Sequence, residues 1–346
     1  MTNSEIETKS LLSPARLGPM TLSNRLVMAP LTRNRSLEGF VPWELNALYY
    51  SQRASAGLIV SEATAVNPFG HGGTHTPGLY TPRQIEGWKL VTEAVHRKGG
   101  RIFAQLWHTG RQAPAESLPA DAARQTTDSL TLAGISNIID EFRQAAINAM
   151  AAGFDGVEVH GANGYLPDQF LEDGTNHRTD EYGGTVENRA RFLIDITRAV
   201  MGVLGAGRVG VRLSPGGNMG GISDSSPWET FSYAVSALDQ LAPAYIHLVE
   251  PRNDRGEPGE LATARFRPLI TRPTQLIVAG GYDADSAEAA IEKGNADLVA
   301  FGRLFIANPD LPARFAQGAA LNPSDRKTFY GGGAHGYVDY PALAAG

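Results

Sequence analysis

Short apolar runs alternate eight times with longer segments of helical periodicity, and this alternation constrains the fold of the chain more than any other feature. The runs are rich in Val, Ile and Leu and lie at Arg25–Pro30, Gly57–Ala63, Arg101–Trp107, Gly156–His160, Val209–Leu213, Tyr245–Glu250, Leu276–Ala279 and Leu298–Phe301. Segments with helical periodicity between them include Pro82–Lys98, Asn137–Ala152, Val186–Leu204 and Asp283–Lys293. This alternation is typical of β/α units around a parallel sheet. Eight such units predict an α/β protein with the (β/α)8 TIM-barrel fold.

The length of the chain fits one such barrel. A typical barrel needs roughly 250 residues, so the 346 residues leave room for insertions. We therefore predict a single domain over residues 1–346. Leu11–Arg25 contains two short segments around Gly18-Pro19, which predict a small N-terminal β-hairpin that covers the floor of the barrel. Gln112–Ile135 is irregular and predicts a surface loop near the active face.

Composition and charge exclude several classes of function. Thirty Lys and Arg against 36 Asp and Glu give a net charge of -6 without a basic cluster, which argues against nucleic-acid binding. The absence of cysteine excludes disulfides, thiolate nucleophiles and iron–sulfur clusters. The polar segment Met1–Ser10 does not resemble a secretion signal, and no apolar run approaches membrane-spanning length. We therefore predict a cytoplasmic protein that does not associate with membranes and has no metal site.

Polar side chains gather where the predicted strands end, which is the face at which barrel enzymes carry out their chemistry. The fourth run leads into the stretch HGANGY, which brings His160, Asn163 and Tyr165 within six residues. The fifth run carries Arg212 near its end. Taken singly, Asn163-Gly164 is an ordinary turn signal and Arg212 an ordinary surface residue. Their shared position at one face of a barrel is what indicates a site.

The last two predicted strands lead into glycines. Gly280-Gly281 follows the seventh run, and Gly302-Arg303 follows the eighth. Backbone N–H groups in glycine-lined turns can surround phosphate oxygens, and an adjacent guanidinium matches the charge. These residue types after the last two strands are what a barrel phosphate site requires.

Seven stretches that together span nearly the whole chain carry a family pattern. They are NRLVMAPLTRNRS, YYSQRASAGLIVSEAT, FAQLWHTGR, GFDGVEVHGANGYLPDQFLEDGTNHRTDEYGGTVENRARF, VGVRLSP, ADLVAFGRLFIANPDLP and FYGGGAHGYVDYP. On these stretches the chain resembles the old yellow enzyme family of flavin-dependent ene reductases. The fourth stretch is highly specific by itself.

The resemblance implies a noncovalently bound FMN at the mouth of the barrel. The residues implied along the isoalloxazine ring are Pro30, Leu31, Thr32 and Ala63, with Gln105 at the pyrimidine edge. Arg212 would lie where negative charge accumulates when the flavin is reduced, and a fixed cation there makes reduction easier. The residues implied at the phosphate are Gly280, Gly281, Gly302 and Arg303.

The resemblance also implies reduction of an activated alkene, an α,β-unsaturated carbonyl or nitro compound, with NADPH or NADH as the reductant. Hydride reaches the β carbon, and negative charge then appears on the activating oxygen. His160 and Asn163 can both donate hydrogen bonds to that oxygen. Tyr165 can protonate the α carbon, because a phenol keeps its proton at neutral pH. Trp107 and Tyr337 are further candidate substrate contacts.

One segment departs from the family pattern. Relatives carry a markedly longer insertion after the third strand, with a hairpin over the active site, where this chain has only Gln112–Gly134. Lid contacts from that insertion therefore cannot be transferred. Another flavin barrel reductase is one alternative function, although a dienoyl-CoA reductase would be expected to carry iron–sulfur cysteines. A flavin-free barrel protein is the other alternative, because fold does not fix function.

Overall fold

The structure is a computed structural model that describes residues 10–252 and 259–343, so the predicted domain 1–346 extends beyond the described residues. The strands are β1 (Ala15–Leu17), β2 (Met20–Leu22), β3 (Leu26–Met28), β4 (Leu58–Val60), β5 (Thr64–Ala65), β6 (Ile102–Trp107), β7 (Gly156–Gly161), β8 (Val209–Leu213), β9 (Tyr245–Val249), β10 (Gln275–Ala279) and β11 (Leu298–Phe301). The α-helices are α1 (Glu44–Gln52), α2 (Pro82–His96), α3 (Leu132–Ala151), α4 (Leu166–Leu171), α5 (Val186–Leu204), α6 (Pro227–Asp239), α7 (Thr263–Phe266), α8 (Ala284–Glu292), α9 (Arg303–Ala307) and α10 (Leu311–Gln317).

Eight parallel strands close into a barrel, which confirms the predicted fold. Strand β3 pairs with β11 on one side and with β4 on the other, and β4 pairs with β6. Strands β6 to β11 then pair in chain order, which completes the ring. The two-residue β5 runs beside the end of β6 and extends the wall there. The carboxyl ends of all eight strands therefore meet at one mouth.

The interior of the barrel is apolar at its floor. Its buried residues include Val27, Leu58, Phe103, Tyr245, Ile277 and Leu298, and they pack in one cluster with Leu17 and Leu22 of the N-terminal hairpin. The predicted hairpin is therefore confirmed as an antiparallel pair, β1 and β2. Gly210 faces this cluster, and a Cβ atom there would lie 2.1 Å from the ring of Tyr245. Only glycine leaves room for that ring inside the barrel.

Local sequence signals set the starts of the main helices. Thr81 caps α2, and its hydroxyl oxygen accepts a hydrogen bond from the backbone N–H of Gln84. Thr131 caps α3 in the same way, so this helix begins at Leu132 rather than at the predicted Asn137. A polar N-cap outweighs the apolar periodicity from which that start was predicted. Within the described residues, no helix is both long and apolar enough to cross a membrane.

Candidate active site at the barrel mouth

Two adjoining cavities open at the mouth of the barrel. One has a volume of about 500 Å³, and we call it the glycine end because Gly280, Gly281 and Gly302 line it. The other has a volume of about 310 Å³, and we call it the tyrosine end because Tyr165 and Tyr330 line it. The two ends share the lining residues Pro30, Leu31, Arg212 and Arg303. Together they form a site for an elongated ligand.

The backbone at the glycine end requires glycine. Gly280 and Gly281 have φ angles of 127° and 78°, which side-chain-bearing residues rarely adopt. A Cβ atom at Gly280 would lie 2.7 Å from the carbonyl oxygen of Glu250, so the turn after β10 packs closely against the end of β9. Arg303 begins α9 and lines both ends of the cavity. A tight glycine turn beside a guanidinium suits a phosphate group.

The stretch HGANGY forms a tight turn that brings three polar side chains to the tyrosine end. His160 lies in β7, and Asn163 and Gly164 follow with left-handed φ angles of 59° and 73°. This reversal places Tyr165 at the start of α4, with its ring 4.9 Å from the imidazole of His160 between centroids. His160, Asn163 and Tyr165 all line the same cavity. The predicted cluster is therefore assembled by one turn.

Four side chains that the sequence analysis missed hold this turn. Ser214 Oγ accepts a hydrogen bond from the N–H of Asn163 at 2.7 Å, and Asp168 Oδ2 accepts one from the N–H of Gly164 at 2.8 Å. On the carbonyl side, Gln112 Nε2 donates to the carbonyl oxygen of Asn163 at 3.1 Å. Gln169 Nε2 donates to that of Gly164 at 2.7 Å. The N–H and carbonyl groups of both Asn163 and Gly164 are therefore all hydrogen-bonded to side chains.

We expect Ser214→Ala to lower the free energy of unfolding by about 1 kcal/mol, because the N–H of Asn163 loses its acceptor in a partly buried turn. The measurement is the midpoint of equilibrium urea unfolding with bound ligand held constant. Ser214→Thr keeps the hydroxyl and serves as the matched control, so it should unfold close to the wild type. An Ala variant as stable as the wild type would show that Ser214 does not hold the turn.

Burial controls the charge of the groups at the tyrosine end. Burial raises the pKa of Tyr165, with a further increase from the nearby Tyr330, so the phenol is protonated at neutral pH. Burial lowers the pKa of His160 well below its usual value, and electrostatic repulsion from the nearby Arg212 lowers it further. The imidazole of His160 is therefore neutral. Burial also lowers the pKa of Arg212, which as a guanidinium remains charged.

Several polar atoms at the mouth have no partner among residues 10–252 and 259–343. Arg212 Nε and His160 Nδ1 are buried there without a hydrogen bond. Unpaired buried donors cost free energy unless a ligand satisfies them. Gln105, by contrast, is held from below, because its Nε2 donates to Glu158 Oε1 at 2.8 Å. An unpaired guanidinium beside a fixed amide fits the polar edge of a flavin ring.

The structure brings nearly all the predicted site residues to the cavity. Those at the tyrosine end are Pro30, Leu31, Thr32, Ala63, Gln105, His160, Asn163, Tyr165, Arg212 and Arg303. Those at the glycine end also include Gly280, Gly281 and Gly302. Lining residues that the sequence analysis missed include Met219, Ile306, Arg326, Phe329 and Tyr330 at the tyrosine end, with Tyr282 and Ser324 at the glycine end. Tyr330 could have been found, because it lies in the family stretch FYGGGAHGYVDYP.

Two predicted substrate contacts, Trp107 and Tyr337, are not among the residues that line the cavity. Trp107 is buried behind Tyr165, with the ring centroids 5.1 Å apart, and it does not line the cavity. Tyr337 is fully buried elsewhere, where its ring stacks on Tyr49 at 4.1 Å. Its hydroxyl accepts a hydrogen bond from Asn46 at 3.0 Å. A substrate contact by Trp107 or Tyr337 stays a prediction, and Tyr330 is the tyrosine of the C-terminal segment that lines the cavity.

The C-terminal segment around Tyr337 is bonded to the loop that follows β3. Arg33 donates hydrogen bonds from Nε to the carbonyl oxygen of Phe329 and from Nη2 to that of Gly336, both at 2.9 Å. Arg35 Nη2 donates to the carbonyl oxygen of Thr328 at 2.9 Å. Both arginines lie within three residues of Thr32, so the first and last loops of the mouth are joined.

The loop that was predicted to lie near the active face does not contribute to the cavity. None of residues 112–135 lines either end of it. Gln112 instead bonds the backbone of the HGANGY turn from outside, and Gln125 bonds His108 at 2.8 Å. Met219, which follows β8, and the C-terminal Phe329 and Tyr330 form the wall at the tyrosine end. That the loop is shorter than in relatives stays a prediction.

Comparison with known proteins gives a consistent result. The family model described as NADH:flavin oxidoreductase / NADH oxidase matches residues 10–322. The putative 12-oxophytodienoate reductase 2 of Oryza sativa subsp. japonica is 46% identical, over 97% of this chain and 95% of that protein. The 12-oxophytodienoate reductase 2 of Arabidopsis thaliana is 42% identical, over 99% of this chain and 98% of that protein.

Solved structures are similar over the whole fold. The structure of morphinone reductase superposes with a TM-score of 0.93 at 44% identity, and 98% of each chain is covered. A complex of morphinone reductase with tetrahydroNAD gives a TM-score of 0.91 at 44% identity, covering 96% of this chain and 98% of that one. The old yellow enzyme homologue of Zymomonas mobilis gives 0.90 at 41% identity, covering 96% of this chain and 100% of that one.

Proposed function

Because the chain belongs to the NADH:flavin oxidoreductase / NADH oxidase family, which includes the old yellow enzymes, it is an FMN-dependent oxidoreductase, and we propose the role of each residue at its mouth. It uses a nicotinamide reductant to reduce activated alkenes. The assignment of roles rests on three polar side chains that meet at the tyrosine end. His160, Asn163 and Tyr165 line one cavity, and among the described residues His160 Nδ1 is buried without a hydrogen-bond partner.

The residues of the mouth fit FMN. The ring would lie at the tyrosine end, between the loop after β3 and the unpaired guanidinium of Arg212, and the phosphate would lie at the glycine end. Gln105 would present its amide oxygen to the ring, because its nitrogen is already engaged by Glu158. Gly280 and Gly281 allow the tight turn at this end, because a Cβ atom at Gly280 would lie 2.7 Å from the carbonyl oxygen of Glu250. When bound, FMN supplies the hydride for the β carbon of the alkene.

His160 and Asn163 hold the activating oxygen of the alkene. The neutral imidazole keeps one N–H to donate, and the Asn163 amide provides a second donor. Two donors at one oxygen stabilise the negative charge that develops there, which is the arrangement of an oxyanion hole. The turn that holds Asn163 at both its N–H and its carbonyl oxygen keeps this geometry fixed before the substrate arrives.

Tyr165 provides the proton for the α carbon. Its raised pKa keeps the phenol protonated, and the rings of Trp107 and His160 fix its orientation by edge-to-face packing. General-acid catalysis of this kind contributes about 10² to 10⁴ to the rate. The proton leaves as the charge on the activating oxygen collapses, so no charge is left on the product.

Bound flavin provides the first test of the whole assignment. Purified protein should be yellow, release FMN on denaturation, and reoxidise anaerobically when a cyclic enone is added after nicotinamide reduction. Cyclic enones are our proposed substrate class, because relatives are named as reductases of 12-oxophytodienoate and morphinone. A colourless protein that cannot be reconstituted with FMN would remove the function and leave a flavin-free barrel protein.

We also propose that NADPH is preferred over NADH. Arg212, Arg303 and Arg326 line the tyrosine end, and no carboxylate lines it among the described residues. Arg326 is exposed, so its interaction with the added phosphate of NADPH is worth at most about 1 kcal/mol. Arg326→Ala should therefore lower the ratio of kcat/KM for NADPH to kcat/KM for NADH by about threefold, which is less than the loss that about 1 kcal/mol would produce. Lys327→Ala is the matched control because Lys327 is exposed but does not line the cavity, and an unchanged ratio in Arg326→Ala would contradict the proposal.

A single domain over residues 1–346 and a cytoplasmic location complete the proposal. One closed barrel with one continuous outer core supports the first. The absence of cysteine is compatible with a reducing compartment and supports the second. A single cooperative unfolding transition and recovery of the protein in the cytoplasmic fraction are the corresponding measurements.

A further inference from the structure

A connected group of buried polar side chains lies inside the barrel just below the tyrosine end. Glu158 Oε1 accepts a hydrogen bond from Gln105 Nε2 at 2.8 Å, and Glu158 Oε2 accepts one from His247 Nδ1 at 2.9 Å. The side chains of Glu158 and His247 are both 0% exposed. The described roles of the mouth residues do not account for a buried carboxylate at this position.

Glu158 is ionised although it is buried. Burial alone would raise its pKa, but His247, Arg212 and the hydrogen bonds outweigh burial and hold that pKa below its usual value. Burial lowers the pKa of His247, so its imidazole is neutral and donates from Nδ1 to the carboxylate. The group therefore carries one negative charge, and Arg212 is a cation whose charge acts on it.

Glu158 reaches the ligand site only through its neighbours. It does not line either end of the cavity, whereas Gln105 and Arg212 both line the tyrosine end. Gln105 pairs directly with Glu158 across β6 and β7, and Arg212 pairs with His247 across β8 and β9. The carboxylate thus lies behind the two side chains that face the polar edge of the ring.

We propose that Glu158 is a positioning residue that sets the reduction potential of bound FMN, by offsetting the Arg212 cation and by orienting the Gln105 amide. This inference rests on the proposed function, because it needs Arg212 and Gln105 to contact the ring. Reduction adds negative charge to the ring, so a nearby cation favours reduction and a nearby carboxylate opposes it. If Glu158 offsets part of the Arg212 charge, the reduction potential stays low enough for reduced FMN to reduce an alkene.

The test is the reduction potential of holoenzyme carrying Glu158→Gln, measured by spectroscopic titration against a reference dye. Gln keeps the size and removes the charge. Its amide oxygen can still accept the hydrogen bond from Gln105, and its amide nitrogen can donate to Nδ1 of the other His247 tautomer. We expect reduced FMN to be favoured over oxidised FMN by about tenfold, which for a two-electron couple is a shift of about 30 mV to more positive potential. Glu158→Asp, which keeps the charge, should stay near the wild type.

Asp155→Asn is the matched control. Asp155 precedes β7 at the floor, where it bonds His96 at 2.9 Å, so its charge lies at the far end of the same strand. The reduction potential of FMN in Asp155→Asn should equal that in the wild type. If Glu158→Gln does not retain FMN, His247→Leu provides a second variant. Loss of the His247 N–H favours the protonated form of Glu158, so the pH at which the potential turns positive should move upward.

Arg212→Gln separates the inference from the proposed function. If Arg212 faces the ring, this variant lowers the potential. A lowered potential in Arg212→Gln with an unchanged or lowered potential in Glu158→Gln overturns the role of Glu158 and leaves the function intact. An unchanged potential in Arg212→Gln removes the proposed role of Arg212, and the inference about Glu158 falls with it.

Discussion

Tyr165→Phe should slow reoxidation of the reduced enzyme by a cyclic enone roughly 100-fold or more, which is the loss expected when a general acid is removed. FMN content and reduction by nicotinamide should be unchanged, because only the second half-reaction needs the proton. Phe keeps the edge-to-face packing against Trp107 and His160, so the turn should retain its shape. The measurement is anaerobic stopped-flow absorbance of each half-reaction separately.

Tyr330→Phe is the matched control for this experiment. Tyr330 lines the same cavity but is 68% exposed, and we assign it no proton transfer. Wild-type reoxidation in Tyr165→Phe, or a larger loss in Tyr330→Phe, would transfer the role of acid away from Tyr165.

The pH dependence of reoxidation follows from the same phenol. A raised pKa means that Tyr165 keeps its proton to higher pH than a free phenol, whose pKa is about 10. The rate of the oxidative half-reaction should therefore stay level from neutral pH to about 10 and fall only above that value. A fall between pH 7 and 9 would point to an acid other than Tyr165.

His160→Ala and Asn163→Ala should each weaken the binding of phenols by roughly 10- to 100-fold, because a hydrogen bond to a charged oxygen contributes about 1.5 to 3 kcal/mol. A bound phenolate resembles the oxygen anion that develops on the substrate, so it reports on these two donors directly. Affinity is measured by titrating the long-wavelength absorbance band that phenolates form with oxidised flavin.

FMN affinity serves as the internal control for both variants, because neither donor belongs to the proposed flavin contacts. It should change much less than phenol affinity. Equal phenolate affinity in the wild type and in both variants would show that another pair of donors holds the oxygen. Arg212 would then be the first group to test, since its Nε is unpaired at the same cavity.

The barrel and most of the mouth could be predicted from the sequence because they depend on local patterns. Apolar runs of strand length mark buried parallel strands, and side chains at the ends of those strands must meet at one face. His160 and Arg212 illustrate this, since each lies in a strand whose register follows from the apolar pattern. Family stretches then added the roles that periodicity cannot provide.

What the sequence did not predict depends on contacts between distant segments. Ser214 and Asp168 look like ordinary polar residues, and only the folded chain brings them to the N–H groups of the HGANGY turn. The C-terminal segment has no periodicity from which its course could be predicted. In the folded chain Tyr330 lines the cavity, whereas Tyr337 is buried elsewhere. Pattern analysis has no access to such a path.

The bonds from Arg33 and Arg35 to the C-terminal segment affect the order in which the enzyme can be completed during synthesis. Both arginines follow Thr32 near the start of the barrel, and their acceptors lie at Thr328, Phe329 and Gly336. While residues 328–336 are still inside the ribosome, the first loop of the mouth lacks these partners and the wall that carries Tyr330 does not exist. The flavin site is therefore complete only after residues 328–336 have joined the loop that carries Arg33 and Arg35.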